Sequence, residues 1–216
     1  MIQAVLFDMD GLMLDTERMW AEVWLQEGLA AGLPMTEQVV VSMRGCNGEG
    51  CRRVCRAAFG PEFDFDSFQD RARAAMQAMV ERRGLAVKPG LVPLLQELRR
   101  RGIPAVVATS TRRATTRGYL QKTGIEGLFR GLVCGDEVTK GKPDPEIFLK
   151  AARLAGVPPQ NCMVLEDSPN GIRAGAAAGC KAVMVPDLTA PDAQLRALAA
   201  AVVPSLYEAI ALLDTL

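Results

Sequence analysis

The chain has 216 residues, 49% of them hydrophobic and 23% charged, an ordinary globular composition with enough length to bury a sizeable core. Its 25 Lys and Arg balance 25 Asp and Glu, so no chain-wide basic field draws it to nucleic acid or acidic lipid, and neither partner is expected. Histidine is absent, which removes imidazole as base, nucleophile or metal ligand and leaves proton transfer mainly to carboxylates.

A short apolar run, Ala4 to Phe7, opens the chain and meets Asp8 too early for a secretory leader. From Glu17 to about Arg83 the pattern turns helical, with Trp20, Val23, Trp24 and Leu25, then Val54, Cys55 and Phe59, then Phe68, Ala72, Ala75, Met76 and Met79. Apolar runs return at 104–108, 131–134, 162–165 and 182–185, continuous as strands covered on both faces are. Helical periodicity separates them, as in Leu91, Leu94, Leu95 and Leu98 before Gly102, or Ile147, Phe148, Ala151 and Leu154 before Gly156, the glycines reading as stops. Ala-rich stretches at 175–179 and 196–201 read as further helices.

Strands alternating with helices predict an α/β fold, a doubly wound parallel sheet. Almost one hundred residues separate the first strand from the second, far more than one crossover needs. We therefore expect residues 1–15 and 84–216 to form the α/β core and residues 16–83 a helical cap inserted after the first strand. No stretch approaches a membrane span in length. The six cysteines contain no C-x-x-C pair, so zinc is not expected; a reduced, cytoplasmic monomer is.

In open α/β sheets ligands bind beyond the carboxyl ends of the strands. The residues just past the apolar runs are polar throughout: Asp8-Met9-Asp10-Gly11, Thr109-Ser110-Thr111, Gly135-Asp136-Glu137 and Glu166-Asp167-Ser168, with Lys140 and Lys142 between the third and fourth strands. So many carboxylates at one rim repel one another unless a cation neutralises them, and an oxygen-only ligand set favours Mg²⁺. A hard cation, a lysine and hydroxyls together make a receptor for phosphoryl oxygens. With no histidine or suitable thiol to attack phosphorus, a carboxylate is the natural nucleophile, giving an aspartyl-phosphate. Asp10 stands two residues from Asp8, on the same side of an extended strand, so Asp8 can attack while Asp10 acts as acid and base.

The motifs Asp8-x-Asp10-Gly-x-x-x-Asp15-Thr16-Glu17, Thr109-Ser110-Thr111, Lys142-Pro143-Asp144-Pro145 and Glu166-Asp167-Ser168-x-x-Gly171, in that order along the chain, resemble the haloacid dehalogenase superfamily in its helical-cap branch. The resemblance implies a phosphoryl-transfer enzyme with Asp8 as nucleophile, Asp10 as acid/base, Thr109, Ser110 and Lys142 at the phosphoryl group, and Mg²⁺ on Asp8, the Asp10 carbonyl, Glu166 and Asp167. It also implies a cap that closes over a small phosphorylated metabolite, for which Glu17, Arg44 and Asn47 are the candidate contacts. Within the branch the sequence is similar to both β-phosphoglucomutases and small sugar-phosphate phosphatases. Arg18-Met19-Trp20 stands where the mutases carry a histidine, and Gly48 where they carry a loop arginine, which favours a phosphatase unless Arg44, Arg52 or Arg53 compensates. Plainer roles compete at several positions: Thr109 and Ser110 as helix caps, Glu17 as a helix-terminal acid, Arg44 and Asn47 as turn formers, Trp20 and Trp24 as core.

Overall fold

The computed structural model describes residues 1–44, 46 and 48–216. The five apolar runs all become strands: β1 (Ala4–Phe7), β2 (Ala105–Ala108), β3 (Gly131–Val133), β4 (Cys162–Glu166) and β5 (Lys181–Met184). Among the described residues five α-helices lie between β1 and β2: α1 (Thr16–Ala30), α2 (Glu37–Met43), α3 (Gly48–Phe59), α4 (Phe65–Arg83) and α5 (Leu91–Arg101), the last leading into β2. The remaining helices are α6 (Arg113–Lys122), α7 (Glu146–Ala155), α8 (Pro169–Ala177), α9 (Ala193–Leu198) and α10 (Leu206–Thr215). Gly102 and Gly156 end α5 and α7 in the left-handed conformation, φ 69° and 75°, as the sequence predicts.

A sixth strand, β6 (Ala201–Val202), was not legible in the sequence. The segment 196–201 reads as one Ala-rich helix, yet α9 stops at Leu198. Ala200 N–H then donates to the Ala182 carbonyl at 2.7 Å and Val203 N–H to that of Met184 at 2.9 Å. The open edge of β5 outweighs alanine's helix preference, which is a weak local term. Residues 178 and 179 likewise fall in the turn after α8 rather than in a helix.

All pairings are parallel and the strand order is β3-β2-β1-β4-β5-β6. The chain builds outward from β1 to β3, then crosses to the other side at β4, so the carboxyl ends of β1 and β4 flank the topological switch point. Alternation along the strands fixes the two faces. Val5, Phe7, Val107, Met163 and Leu165 pack with Leu94 and Leu98 of α5 and Leu213 of α10. Ala4, Leu6, Val106 and Val164 pack with Phe148 and Ala151 of α7 and Ala174 of α8.

Among the inserted helices, Val23 and Trp24 of α1 pack with Phe65, Phe68 and Met76 of α4, in the same buried cluster as Phe7 and Leu165 of the sheet. Thr36 and Asp64 cap α2 and α4 by accepting the N–H groups of Val39 and Ser67. The chain enters and leaves this helical unit side by side: Leu14 and Val87 form an antiparallel bridge, flanked by Asp15 N–H to Ala86 O at 3.0 Å and Lys88 N–H to Met13 O at 2.8 Å. Among the described residues no helix is long and apolar enough to cross a membrane.

Candidate active site

The turn that leaves β1 is closed by the Met9 carbonyl, which accepts from Met13 and Leu14 N–H at 2.9 and 3.1 Å. Gly11 sits in this turn at φ 82°, and a Cβ there would stand 2.2 Å from Asp167 Oδ2, so only glycine lets the β1 turn approach the end of β4. Asp8 is buried beside that turn. Lys142, on the loop before α7, reaches between the two strands: its ammonium donates to Asp8 Oδ1 at 2.5 Å, Glu166 Oε1 at 2.6 Å and the Ala108 carbonyl at 3.1 Å. It also lies 5.0 Å over the Phe148 ring. The other oxygen of Glu166 accepts from the N–H and hydroxyl of Ser168, both at 2.9 Å, and Ser168 in turn caps α8 through Gly171 N–H. A Cβ at Gly171 would lie 1.8 Å from the Glu166 carboxyl carbon.

Asp8, Glu166 and Asp167 each offer a carboxylate oxygen within 4.8 Å of the others, all three residues buried. Burial is the main force raising Asp8 well above the ordinary carboxylate range; Lys142 opposes it, and the charges of Glu166 and Asp10 add to it. Asp167 is raised likewise, by burial and then by Glu166, Asp8 and Glu17. Burial alone would lower Lys142, but the adjacent Asp8 and Glu166 outweigh it and hold the ammonium form. Three clustered hard-oxygen donors facing one lysine are short of positive charge. The donor set fits a hard divalent cation such as Mg²⁺.

Asp10 is not part of the carboxylate cluster. Its Oδ1 accepts from the Thr16 hydroxyl at 2.7 Å, and its Oδ2 accepts from the hydroxyls of Thr111 at 2.7 Å and Thr109 at 3.4 Å. Thr109 is fully buried, and its hydroxyl also accepts from Thr111 N–H at 3.1 Å. Neither Thr109 nor Ser110 caps α6, because that helix starts at Arg113 with Arg112 in the cap position.

One cavity of about 820 Å³ joins these groups, lined by Asp8, Asp10, Thr109, Ser110, Lys142, Glu166 and Asp167 on the core side and by α1, α4 and the end of α2 on the cap side. Glu17 opens into it, its carboxyl pushed up to about 7 by burial first and by the charge of Asp10 second, with Arg44 opposing. Arg44 also lines the cavity; its Nη1 donates to the Leu188 carbonyl at 3.4 Å, and its buried Nε has no partner among the described residues. Asn47, the third cap candidate, lies outside the described residues. Arg52 is engaged elsewhere, paired with Asp66 at 2.7 Å and Glu49 at 3.2 Å. Arg53 is exposed.

Sequence reasoning missed three features. Thr16 and Thr111 stand inside quoted motifs, yet their grip on Asp10 depends on a turn that spacing does not reveal. Tyr119 of α6 lines the cavity, its phenol raised by burial and by Asp10. Trp20 and Trp24, read as core, are stacked with ring centroids 5.3 Å apart and also line the cavity. Asp15, read as either orienting the lid or favouring the start of the first helix, occupies the N-cap position of α1 without a side-chain hydrogen bond there and pairs with Arg18 at 2.6 Å and Lys88 at 3.2 Å; both cations also pair with Asp187, at 2.9 and 2.8 Å.

Comparison with known proteins agrees with this architecture. Residues 2–179 match the family described as haloacid dehalogenase-like hydrolase. The chain is 36% identical over 191 residues to a "Probable pseudouridine-5'-phosphatase" of Drosophila melanogaster, covering 84% of this chain and 80% of the relative. It is 30% identical over 182 residues to a "Phosphorylated carbohydrates phosphatase" of Thermotoga maritima, covering 84% of each. Among solved structures, CbbY from Rhodobacter sphaeroides in complex with phosphate superposes with a TM-score of 0.80 at 26% identity, over 96% of each chain.

Proposed function

The chain belongs to the haloacid dehalogenase-like hydrolases and is a phosphoric monoester hydrolase of that family, and from this premise we propose that it hydrolyses a small phosphorylated metabolite, a sugar phosphate in the broad sense, through an aspartyl-phosphate on Asp8. The observation that carries the reading is the Lys142 ammonium held between Asp8 and Glu166 at 2.5 and 2.6 Å, with Asp167 beside them, at the switch point of the sheet.

Asp8 attacks phosphorus, and Asp10 protonates the departing oxygen and afterwards accepts a proton from the attacking water. The hydroxyls of Thr16 and Thr111 hold the Asp10 carboxylate in place. Thr109, Ser110 and Lys142 receive the phosphoryl oxygens. Asp8, the Asp10 carbonyl, Glu166 and Asp167 would hold Mg²⁺, which when bound offsets the negative charge shared by carboxylates and phosphoryl group. Residues 16–83 serve as the cap over residues 1–15 and 84–216, and Glu17 and Arg44, with Asn47, meet the rest of the substrate. Neither nucleic acid nor membrane takes part, and the enzyme works as a cytoplasmic monomer; the balanced charge and six unpaired cysteines support that setting.

Release of phosphate across a panel of phosphorylated metabolites tests the reading, with Asp8→Asn and metal-free controls. Turnover is expected only with intact Asp8 and a divalent cation; undiminished turnover in Asp8→Asn ends the nucleophile assignment. The engagement of Arg52 by Asp66 and Glu49 weighs against a mutase, which must grip a second phosphate. With β-glucose 1-phosphate and a trace of the 1,6-bisphosphate, rapid isomerisation with negligible hydrolysis would reverse that preference.

A further inference from the structure

With Asp10 protonating the departing oxygen, the first carbons of the leaving alcohol lie close to its carboxyl. Side chains around that carboxyl are therefore placed to tell one alcohol from another. Thr16, Thr109 and Thr111 already donate to it. Tyr119 of α6 does not, although it stands near enough for the charge of Asp10 to help raise its phenol, and it lines the cavity that holds Asp8 and Asp10.

The way α6 meets the cavity accounts for this placement. Thr115, Gly118, Tyr119 and Lys122 all line it, a spacing of three and four residues that gathers them on one helix face. A Cβ at Gly118 would meet nothing within 4 Å, so the space beside Tyr119 on this face is open. The body of Tyr119 belongs to the buried cluster of Phe7, Leu120 and Ile125, and the whole residue is only 7% exposed. Its hydroxyl nevertheless makes no hydrogen bond to another described residue. Among the described residues Arg44 Nε is the one enclosed side-chain nitrogen or oxygen left without a partner, so the unengaged phenol oxygen is not sealed in the core but reaches the cavity. Phenylalanine would fill the same place with no polar atom to satisfy.

A fixed ring whose single donor opens beside the general acid suits an acceptor oxygen on the leaving group. Resting on the phosphatase reading above, we propose that Tyr119 contacts the substrate: its O–H donates to an oxygen on the carbon next to the phosphate ester carbon, and so favours alcohols that carry a hydroxyl or ether oxygen there.

The test pairs two monoesters of equal chain length, glycerol 3-phosphate, which has a hydroxyl on that carbon, and propyl phosphate, which has none. Phosphate release with Mg²⁺ gives kcat/KM for each, in wild type and in Tyr119→Phe. The ratio of glycerol 3-phosphate to propyl phosphate should exceed one in wild type and fall about 3- to 10-fold in Tyr119→Phe, as the loss of one neutral hydrogen bond implies, while the melting temperature stays within about 2 °C. A side chain that only packs would lower both esters together and leave the ratio where it was. An unchanged ratio, a wild-type ratio at or below one, or release from neither ester overturns the contact. Phosphate release elsewhere in the metabolite panel then keeps the phosphatase standing, and its absence there removes the phosphatase as well.

Discussion

At Lys142 three partners meet that a single ammonium can serve together: two carboxylates and a strand-end carbonyl. Replacing it with methionine removes the cation and leaves Asp8 and Glu166 facing each other in a buried site. We expect Lys142→Met to lower stability by about 3 kcal/mol in urea unfolding without divalent cations, with part of the loss recovered on adding Mg²⁺. Turnover should drop at least about 100-fold. Gly171 offers a different handle, since a Cβ there would strike the Glu166 carboxyl carbon. Gly171→Ala should raise the Mg²⁺ concentration for half-maximal activity by about tenfold or more, as displaced metal-site geometry generally does, while circular dichroism stays native. Asp8 and Asp167 could be nominated because each directly follows a strand, and Glu166 because it closes β4, whereas Lys142 stands well past β3 on the loop before α7. The tryptophans were legible only by half: a ring on a helix face has the same spacing whether it meets core or cavity, and only the position of α6 distinguishes the two. Arg44 shows the same limit, since its Leu188 partner lies far off in the chain.

Helices and strands differ in how much of their fate is local. Gly102 and Gly156 end their helices by their own conformational freedom, whereas β6 exists because β5 has an unpaired edge. One ion cluster ties two helix ends together: Arg101 of α5 pairs with Glu97 at 2.6 Å and with Asp214 of α10 at 2.5 Å. Hydrogen bonds from Arg100 and then Arg101 hold Glu97 down to about 2, against an ordinary 4.5. A carboxyl lowered in the folded state contributes its stability in full above the ordinary value and loses it as pH falls through the window from 4.5 to about 2. The difference in melting temperature between wild type and Glu97→Gln should therefore be small but present at pH 7, shrink below pH 4.5, and vanish near pH 2. Solvent exposure keeps that difference modest. At the start of α4, Asp64→Ala removes the cap to Ser67 and should cost about 1 kcal/mol in thermal or urea unfolding.

The two parts of the molecule are held together by charge as well as by packing. Asp187, on the core loop after β5, is nearly buried and receives both Arg18 of α1 and Lys88 of the return segment. Asp187→Asn leaves those cations to Asp15 alone. It should raise KM about fivefold, the equivalent of about 1 kcal/mol, with a steeper dependence on ionic strength, while urea unfolding changes little. The spacing of the first two strands leaves room for a helical insert. Which core residues it leans on was not legible, because Asp187 and Leu188 carry no motif.

The Leu14–Val87 bridge places the start and finish of the inserted helices a hairpin's width apart. A polypeptide spliced in at such a point imposes little chain entropy on what surrounds it, and that cost grows only slowly with the length added. An insert of another length at the same point would therefore leave the sheet beneath free to close as before.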